Sequence, residues 1–263
     1  MTTAAEHWAD ALRQWGIPEH ILEQAPQSPW IHPVENFRVS GDLAVDTPSR
    51  HRALEALTGA APSVLDVGCG GGRAAFGLVP PATSVVGVDH QQVMLDLFAD
   101  EAAARGVTCR TVLGDWPDVA DQTPACDVVT CHHVFFNVQR LTEFAAALTS
   151  HAHHRVVVEL PHRHPLSHLS DAWRHFWGLE RPASPTAHDA LEVLRDMGLD
   201  AHVEAFTTST TTSNRVEVTD LDVEHMRIRL CLPADRDPDV REFLQQRVPQ
   251  PRELVTLWWD THR

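Results

Sequence analysis

The segment Ser63 to Leu78, SVLDVGCGGGRAAFGL, constrains the fold of this chain more than any other. An apolar run around Val64-Leu65-Asp66-Val67 stops abruptly at Gly68-Cys69-Gly70-Gly71-Gly72, and a helix-compatible run from Arg73 to Leu78 follows. The pattern predicts a buried strand, a glycine turn and a helix start. Four glycines in five residues let the backbone turn tightly and approach a ligand closely, because no Cβ intervenes. The helix start aims unpaired N–H groups at the same place. The spacing Asp66-x-Gly68-x-Gly70-x-Gly72 is not the G-x-G-x-x-G of a dinucleotide fold.

Strands and helices keep alternating downstream. Ser84 to Val88 reads as a second buried strand ending in Asp89, and Val107 to Leu113 as a third ending in Gly114-Asp115-Trp116-Pro117. Asp127 to Thr130 is a fourth, ending in Cys131-His132-His133, and Arg155 to Leu160 a fifth. Helices are expected from Gln91 to Arg105, stopped by Gly106, and from Leu141 to Ser150. Thr47-Pro48 opens another ahead of the first strand. Alternation of this kind means parallel strands joined by crossover helices, an α/β doubly wound sheet. Ligands of such sheets lie beyond the carboxyl ends of the strands.

The flanks differ. Residues 1–46 read as a helical extension, with Trp8, Leu12 and Trp15 at helical spacing and Pro26, Pro29 and Pro33 around Trp30. Such a segment either packs on the body or forms a lid carrying aromatic residues. Residues 47–263 form the main domain, with helical insertions near 161–185 and 220–248.

Composition removes several function classes. The formal net charge is −15, which repels phosphate backbones and argues against a nucleic-acid partner. The sequence contains neither Lys nor Tyr. Schiff-base and Walker lysines, and the Tyr-Lys pair of one dehydrogenase class, are therefore absent. No apolar run is long enough to cross a membrane, and MTTAAEHWAD lacks the basic and apolar regions of a secretory signal. A cytoplasmic protein is expected. Its cysteines, Cys69, Cys109, Cys126, Cys131 and Cys231, form no C-x-x-C pair and read as reduced thiols.

Four features fall at successive strand ends: the glycine turn, Asp89 with His90, Asp115-Trp116, and Cys131-His132. A carboxylate at the second strand end can accept hydrogen bonds from a ribose diol. An acid at the third can take an adenine amino group while an indole stacks on the ring. Together, from about Pro48 to Phe206, these residues resemble the class I S-adenosylmethionine (SAM)-dependent methyltransferases.

The resemblance implies a Rossmann-like, mostly parallel sheet of seven strands, whose last two, Asp200–Phe206 and Leu254–Trp259, pair as an antiparallel edge. It implies SAM as cofactor and S-adenosylhomocysteine as product. Asp66, Gly68, Cys69, Gly70 and Gly72 would hold the amino acid end and Asp89 the ribose, with His90 beside it. Met94 would flank the adenine, Asp115 and Trp116 would meet its edge and face, and Cys131 and His132 would border the sulfonium.

Methyl transfer from a sulfonium is an in-line displacement, so the protein mainly aligns the partners and excludes water. A hydroxyl or ammonium acceptor also needs a base, and histidine is tuned for that near neutral pH. His132, His133 and His162 are the candidates, since they follow the fourth and fifth strands. Trp30, Phe37, Glu159, Arg163, Trp173 and Trp177 are the candidate acceptor-binding residues. His164 with His168, and His151, His153 and His154, cluster as well, but their spacing defines no coordination geometry and no metal is expected. The expected activity is O- or N-methylation of a small molecule by a monomer or homodimer. The rivals are a SAM-binding protein without turnover and a nucleotide-dependent oxidoreductase.

Overall fold

Burial of four of the five predicted parallel strands, all but the largely exposed edge at Thr108–Leu113, is the organising fact of the tertiary structure, a computed structural model that describes residues 2–30, 34–39, 41, 43, 45–208, 217–247 and 251–261. In chain order the helices are α1 (Ala4–Arg13), α2 (Glu19–Leu22), α3 (Pro48–Ala56), α4 (Arg73–Phe76), α5 (Gln92–Arg105), α6 (Leu141–His151), α7 (Ser170–Trp177), α8 (Ala187–Asp196), α9 (Asp220–Arg229) and α10 (Asp237–Gln246). The strands are β1 (Ser63–Val67), β2 (Ser84–Asp89), β3 (Thr108–Leu113), β4 (Cys126–His132), β5 (Ala152–Pro161), β6 (His202–Thr208) and β7 (Arg252–Asp260).

Among the described residues these strands form one sheet of seven in the order β3-β2-β1-β4-β5-β7-β6. The first five run parallel. β7 runs antiparallel to both β5 and β6, with Phe206 opposite Leu254 and His202 opposite Trp258. The late hairpin expected from sequence is therefore present. The strand order switches sides between β1 and β4, which opens the crevice at their carboxyl ends.

Strand alternation assigns each side chain to one of two layers. Leu65, Val67, Val86, Val88, Val129, Cys131, Val156 and Val158 face the layer that holds α1, α6 and α8. Val64, Val85, Val128 and Val157 face the layer of α3, α4 and α5. Asp66, Asp89, Thr130, His132 and Glu159 alternate with the first set and so lie on the α3–α5 side. That one periodicity collects the polar site residues of four strands on a single face.

Local signals set the boundaries. Thr47 caps α3, its hydroxyl accepting from the Arg50 N–H at 3.3 Å, with Pro48 in the first turn. Gly106 ends α5 in the left-handed region, with φ of 65°. The helix expected from Arg73 to Leu78 is shorter, a single turn ending at Phe76. The chain then turns through Gly77 into Pro80-Pro81, where proline cannot continue a helix.

The N-terminal extension is divided. Trp8 is fully buried, its indole N–H donating to the Val138 carbonyl at 2.7 Å and its ring 5.5 Å from Phe136. So α1 belongs to the core of the sheet's first layer and is no lid. Trp15 stacks on the His164 ring at 4.0 Å. The cap has its own core, in which Ile17 and Ile21 meet Trp173, Val223, Met226 and Val240 from α7, α9 and α10. Positions 209–216 lie outside the described residues, as do Pro33 and the end of the second insertion at Val248.

Candidate active site

The glycine turn hangs from β2. The Gly68 and Cys69 N–H groups both donate to the Val88 carbonyl, at 2.8 and 3.0 Å. Gly70 N–H donates to Asp89 Oδ2 at 3.0 Å, and Gln91 N–H to Oδ1 at 3.0 Å. Asp89 thus fixes the turn on one side and the entry of α5 on the other. A carboxylate carries about four lone-pair positions, so acceptor capacity remains for a ligand.

Two glycines are required by the chain itself. Gly72 has φ of 90° and caps α4, and a Cβ there would lie 2.2 Å from Phe76. A Cβ on Gly71 would lie 2.0 Å from the Phe37 carbonyl oxygen. The single-turn 3₁₀ segment Val34–Phe37 therefore runs directly against the turn. Close approach at Gly71, expected from a ligand, comes from the N-terminal segment instead. Phe37, about one third exposed, is the residue of that segment nearest the turn.

Asp66 is placed differently from the expectation. It is 1% exposed, accepting from Thr130 Oγ1 at 2.9 Å and from Ala75 N–H at 3.2 Å. It therefore braces β1 to β4 and α4 and does not line the crevice. Burial pushes its pKa up to about 7, against the two hydrogen bonds and with a small push from the Asp89 charge. Thr130, its partner, was not singled out from the sequence. A buried Asp two residues before a glycine turn was the available signal, but not the identity of its donor.

Trp116 also departs from the expectation. Its indole N–H donates to the Phe144 carbonyl of α6 at 3.4 Å, and its ring meets His151 edge-on at 4.9 Å. It packs on the α6 layer. Asp115 is exposed beside it, and His90 is exposed next to Asp89, 3.6 Å from Oδ1. Met94 is 3% exposed in the first turn of α5, and Cys69 and Cys131 are buried thiols, pushed up by burial.

Across β4, β5 and β7, three polar residues stand in register: His132 pairs with Glu159, and Glu159 with Thr256. Glu159 is 8% exposed. Its Oε2 accepts a hydrogen bond from Ser49 of α3, and Ser49 in turn lies 3.0 Å from the Thr47 hydroxyl. His133 Nε2 lies 3.4 Å from Glu159 Oε1. Burial by itself would raise the Glu159 pKa, but the imidazoles of His132 and His133 and the bond from Ser49 outweigh it and bring it down to about 2. His132 itself is held below the ordinary imidazole value by burial.

His133 has φ of 61°, an uncommon conformation for a side chain of its size. Its N–H donates to the Glu159 carbonyl at 2.6 Å. The bend turns the imidazole back over the carboxylate while leaving it exposed. His132 Nε2 and Thr256 Oγ1 are buried without a partner. Such groups call for a ligand or a water.

Of the other candidates, His162 lies in the loop after β5, its ring 5.6 Å from His188 and its N–H bonded to the Glu253 carbonyl. Nothing brings it to Glu159. Arg163 is exposed and bridges to Thr186. Trp173 is 2% exposed within the cap core, and Trp177 N–H donates to the Leu230 carbonyl at 2.7 Å. These two indoles hold the cap together, because their shared helix face is the one that packs on α9. Trp30 is 49% exposed, at a narrow cleft edged by Trp173, Arg181 and Arg229. Among the described residues no three His, Cys, Asp or Glu side chains gather as a metal site, and all five cysteines are free.

A seven-stranded sheet of this order, with a glycine turn hung on an acidic β2 end, defines a Rossmann-like methyltransferase fold. Residues 64–155 match the family model for a methyltransferase domain. The chain is 33% identical over 106 residues to the cypemycin N-terminal methyltransferase of a Streptomyces species, a match covering 40% of each chain. The YcgJ protein of Bacillus subtilis shares the fold, with a TM-score of 0.53 at 15% identity over 82% of this chain and 98% of that one. A Bacillus halodurans C-125 protein assigned as a methyltransferase does so with a TM-score of 0.50 at 17% identity, over 81% and 99%.

Proposed function

We propose that this chain catalyses methyl transfer from SAM to an oxygen or nitrogen of a small-molecule acceptor. One observation carries the reading: Asp89, the glycine turn, His132 and Glu159 converge at the carboxyl ends of β1, β2, β4 and β5 on a single face of the sheet. The turn and Asp89 fit the amino acid and ribose parts of SAM, and the unpartnered His132 Nε2 fits a polar group bound beside them. SAM supplies an activated methyl group, so what remains for the protein is alignment, exclusion of water and removal of a proton. His133 is the base in this reading. Glu159 orients its imidazole and stabilises the imidazolium that forms. The cap formed by the segments near 161–185 and 220–248, with Trp30 at its edge, roofs the acceptor side, and the segment around Phe37 covers the turn. The relative named above acts, by its name, at an N-terminus, which supports keeping nitrogen among the acceptors.

Calorimetry with S-adenosylhomocysteine tests the cofactor half, with binding expected and its absence refuting the reading. Transfer of labelled methyl to product separates an enzyme from a binding protein without turnover.

A further inference from the structure

Glu159 is the carboxylate nearest the candidate base, and its surroundings say what it is for. Its side chain lies at the third residue from the end of β5, between His132 and Thr256 in the sheet. Ser49 holds one oxygen from above, and His133 stands at the other. The Arg252 guanidinium, from the start of β7, also feels its charge. Lone-pair positions remain on both oxygens after these contacts, and the neighbouring His132 Nε2 is a further buried acceptor or donor without a partner.

We infer that the acceptor is an amine that enters as an ammonium ion and docks on Glu159, an inference that rests on the methyl-transfer reading of this crevice. An ammonium group supplies several donors to the lone pairs left on the Glu159 carboxylate, and its charge complements that buried anion. A carboxylate acceptor would be repelled by Glu159. A carbon nucleophile would leave Glu159 and His132 without a role, and an alcohol would bring one donor and no charge. The step balances. The docked ammonium gives one proton to His133. The freed nitrogen lone pair forms the new N–C bond as the methyl carbon's bond to sulfur breaks, and that bond's electron pair stays on sulfur as a thioether. The proton leaves to solvent from the exposed imidazole.

The test uses protein saturated with S-adenosylhomocysteine and titrated by calorimetry with benzylamine, benzyl alcohol and benzoate. Benzylamine should bind at least about tenfold more tightly than benzyl alcohol, and benzoate more weakly still. Glu159→Gln should abolish the preference and Glu159→Asp should keep it, both variants binding S-adenosylhomocysteine as the wild type does. Undetectable benzylamine binding, equal binding of amine and alcohol, or a preference that survives Glu159→Gln would overturn the inference. Failure of the wild type to bind S-adenosylhomocysteine would instead overturn the methyl-transfer reading beneath it.

Discussion

Replacing Asp89 by Asn tests the junction on which the site depends. The side chain keeps its size, but one oxygen becomes an NH₂ group. In the native structure both oxygens accept backbone N–H groups at 3.0 Å, from Gly70 and from Gln91. Asn can serve only one of these, and its amide then points a donor at the other donor. A hydrogen bond to a charged group contributes about 1.5–3 kcal/mol, and an unsatisfied buried donor costs about 1–3 kcal/mol. With Asp89 8% exposed, partial solvation keeps the total near the lower end, a loss of about 2–3 kcal/mol in urea unfolding. The ribose contact proposed for the same carboxylate would be lost with it. S-adenosylhomocysteine affinity should therefore fall by about tenfold to a hundredfold, since each 1.4 kcal/mol is a factor of ten. Calorimetry on folded variant protein measures this directly. A variant within about 0.5 kcal/mol of wild-type stability and with unchanged affinity would show that Asp89 neither holds the turn nor binds the ligand.

Other perturbations separate the remaining roles. Ser49→Ala should lower kcat with little change in S-adenosylhomocysteine affinity and distort the acid side of the kcat–pH profile, while Ser49→Thr recovers much of the loss; an unaltered profile would remove Ser49 from the positioning of Glu159 and His133. His133→Gln should reduce kcat by about 10²–10⁴-fold in single-turnover assays, and a change confined to KM would refute it as the base. Gly71→Ala places a methyl against the Phe37 carbonyl and should expose the segment around Glu35 to faster cleavage by a glutamate-specific protease; an unchanged cleavage rate would mean that the segment does not rest on the turn.

His164, brought down to about 4 by burial and then by the Arg181 charge, stays neutral where the unfolded chain is protonated, so stability falls as pH drops from 6.5 towards 4. Asp66, raised to about 7, stays protonated where the unfolded chain ionises at 3.8, so stability rises as pH drops from 7. Between pH 7 and pH 5 each contributes on the order of 2 kcal/mol, with opposite sign. His132 and His168, also pushed down by burial, add to the loss on the acid side. Urea midpoints should fall towards pH 5 in Asp66→Asn and fall less, or rise, in His164→Gln; parallel pH profiles for the two variants would refute the assignment.

Much of this site was legible along the chain. Strand ends mark ligand positions in a parallel sheet, and each strand here ends in an abrupt change of residue type, so the glycine turn, Asp89 and Cys131-His132 could be located without coordinates. The closing hairpin was legible only through the family resemblance, which implies an antiparallel edge at Asp200–Phe206 and Leu254–Trp259, where the structure pairs β6 with β7. What periodicity reports is which face a side chain takes. It does not report what stands opposite. Trp8, Trp15 and Trp173 share helical spacings that suit a core or a lid equally, and only packing against Phe136, His164 and the cap helices made them core.

The sequence by itself determined the sheet, the glycine turn and the acid at the end of β2, because these follow from local backbone chemistry and a repeat of two. Only the tertiary structure decided that Asp66 is a brace, that Gly71 makes room for the Phe37 backbone, and that Ser49, 110 residues away in the chain, holds Glu159 beside His133. Those outcomes depend on pairs far apart in sequence, whose meeting is fixed by which helix covers which face.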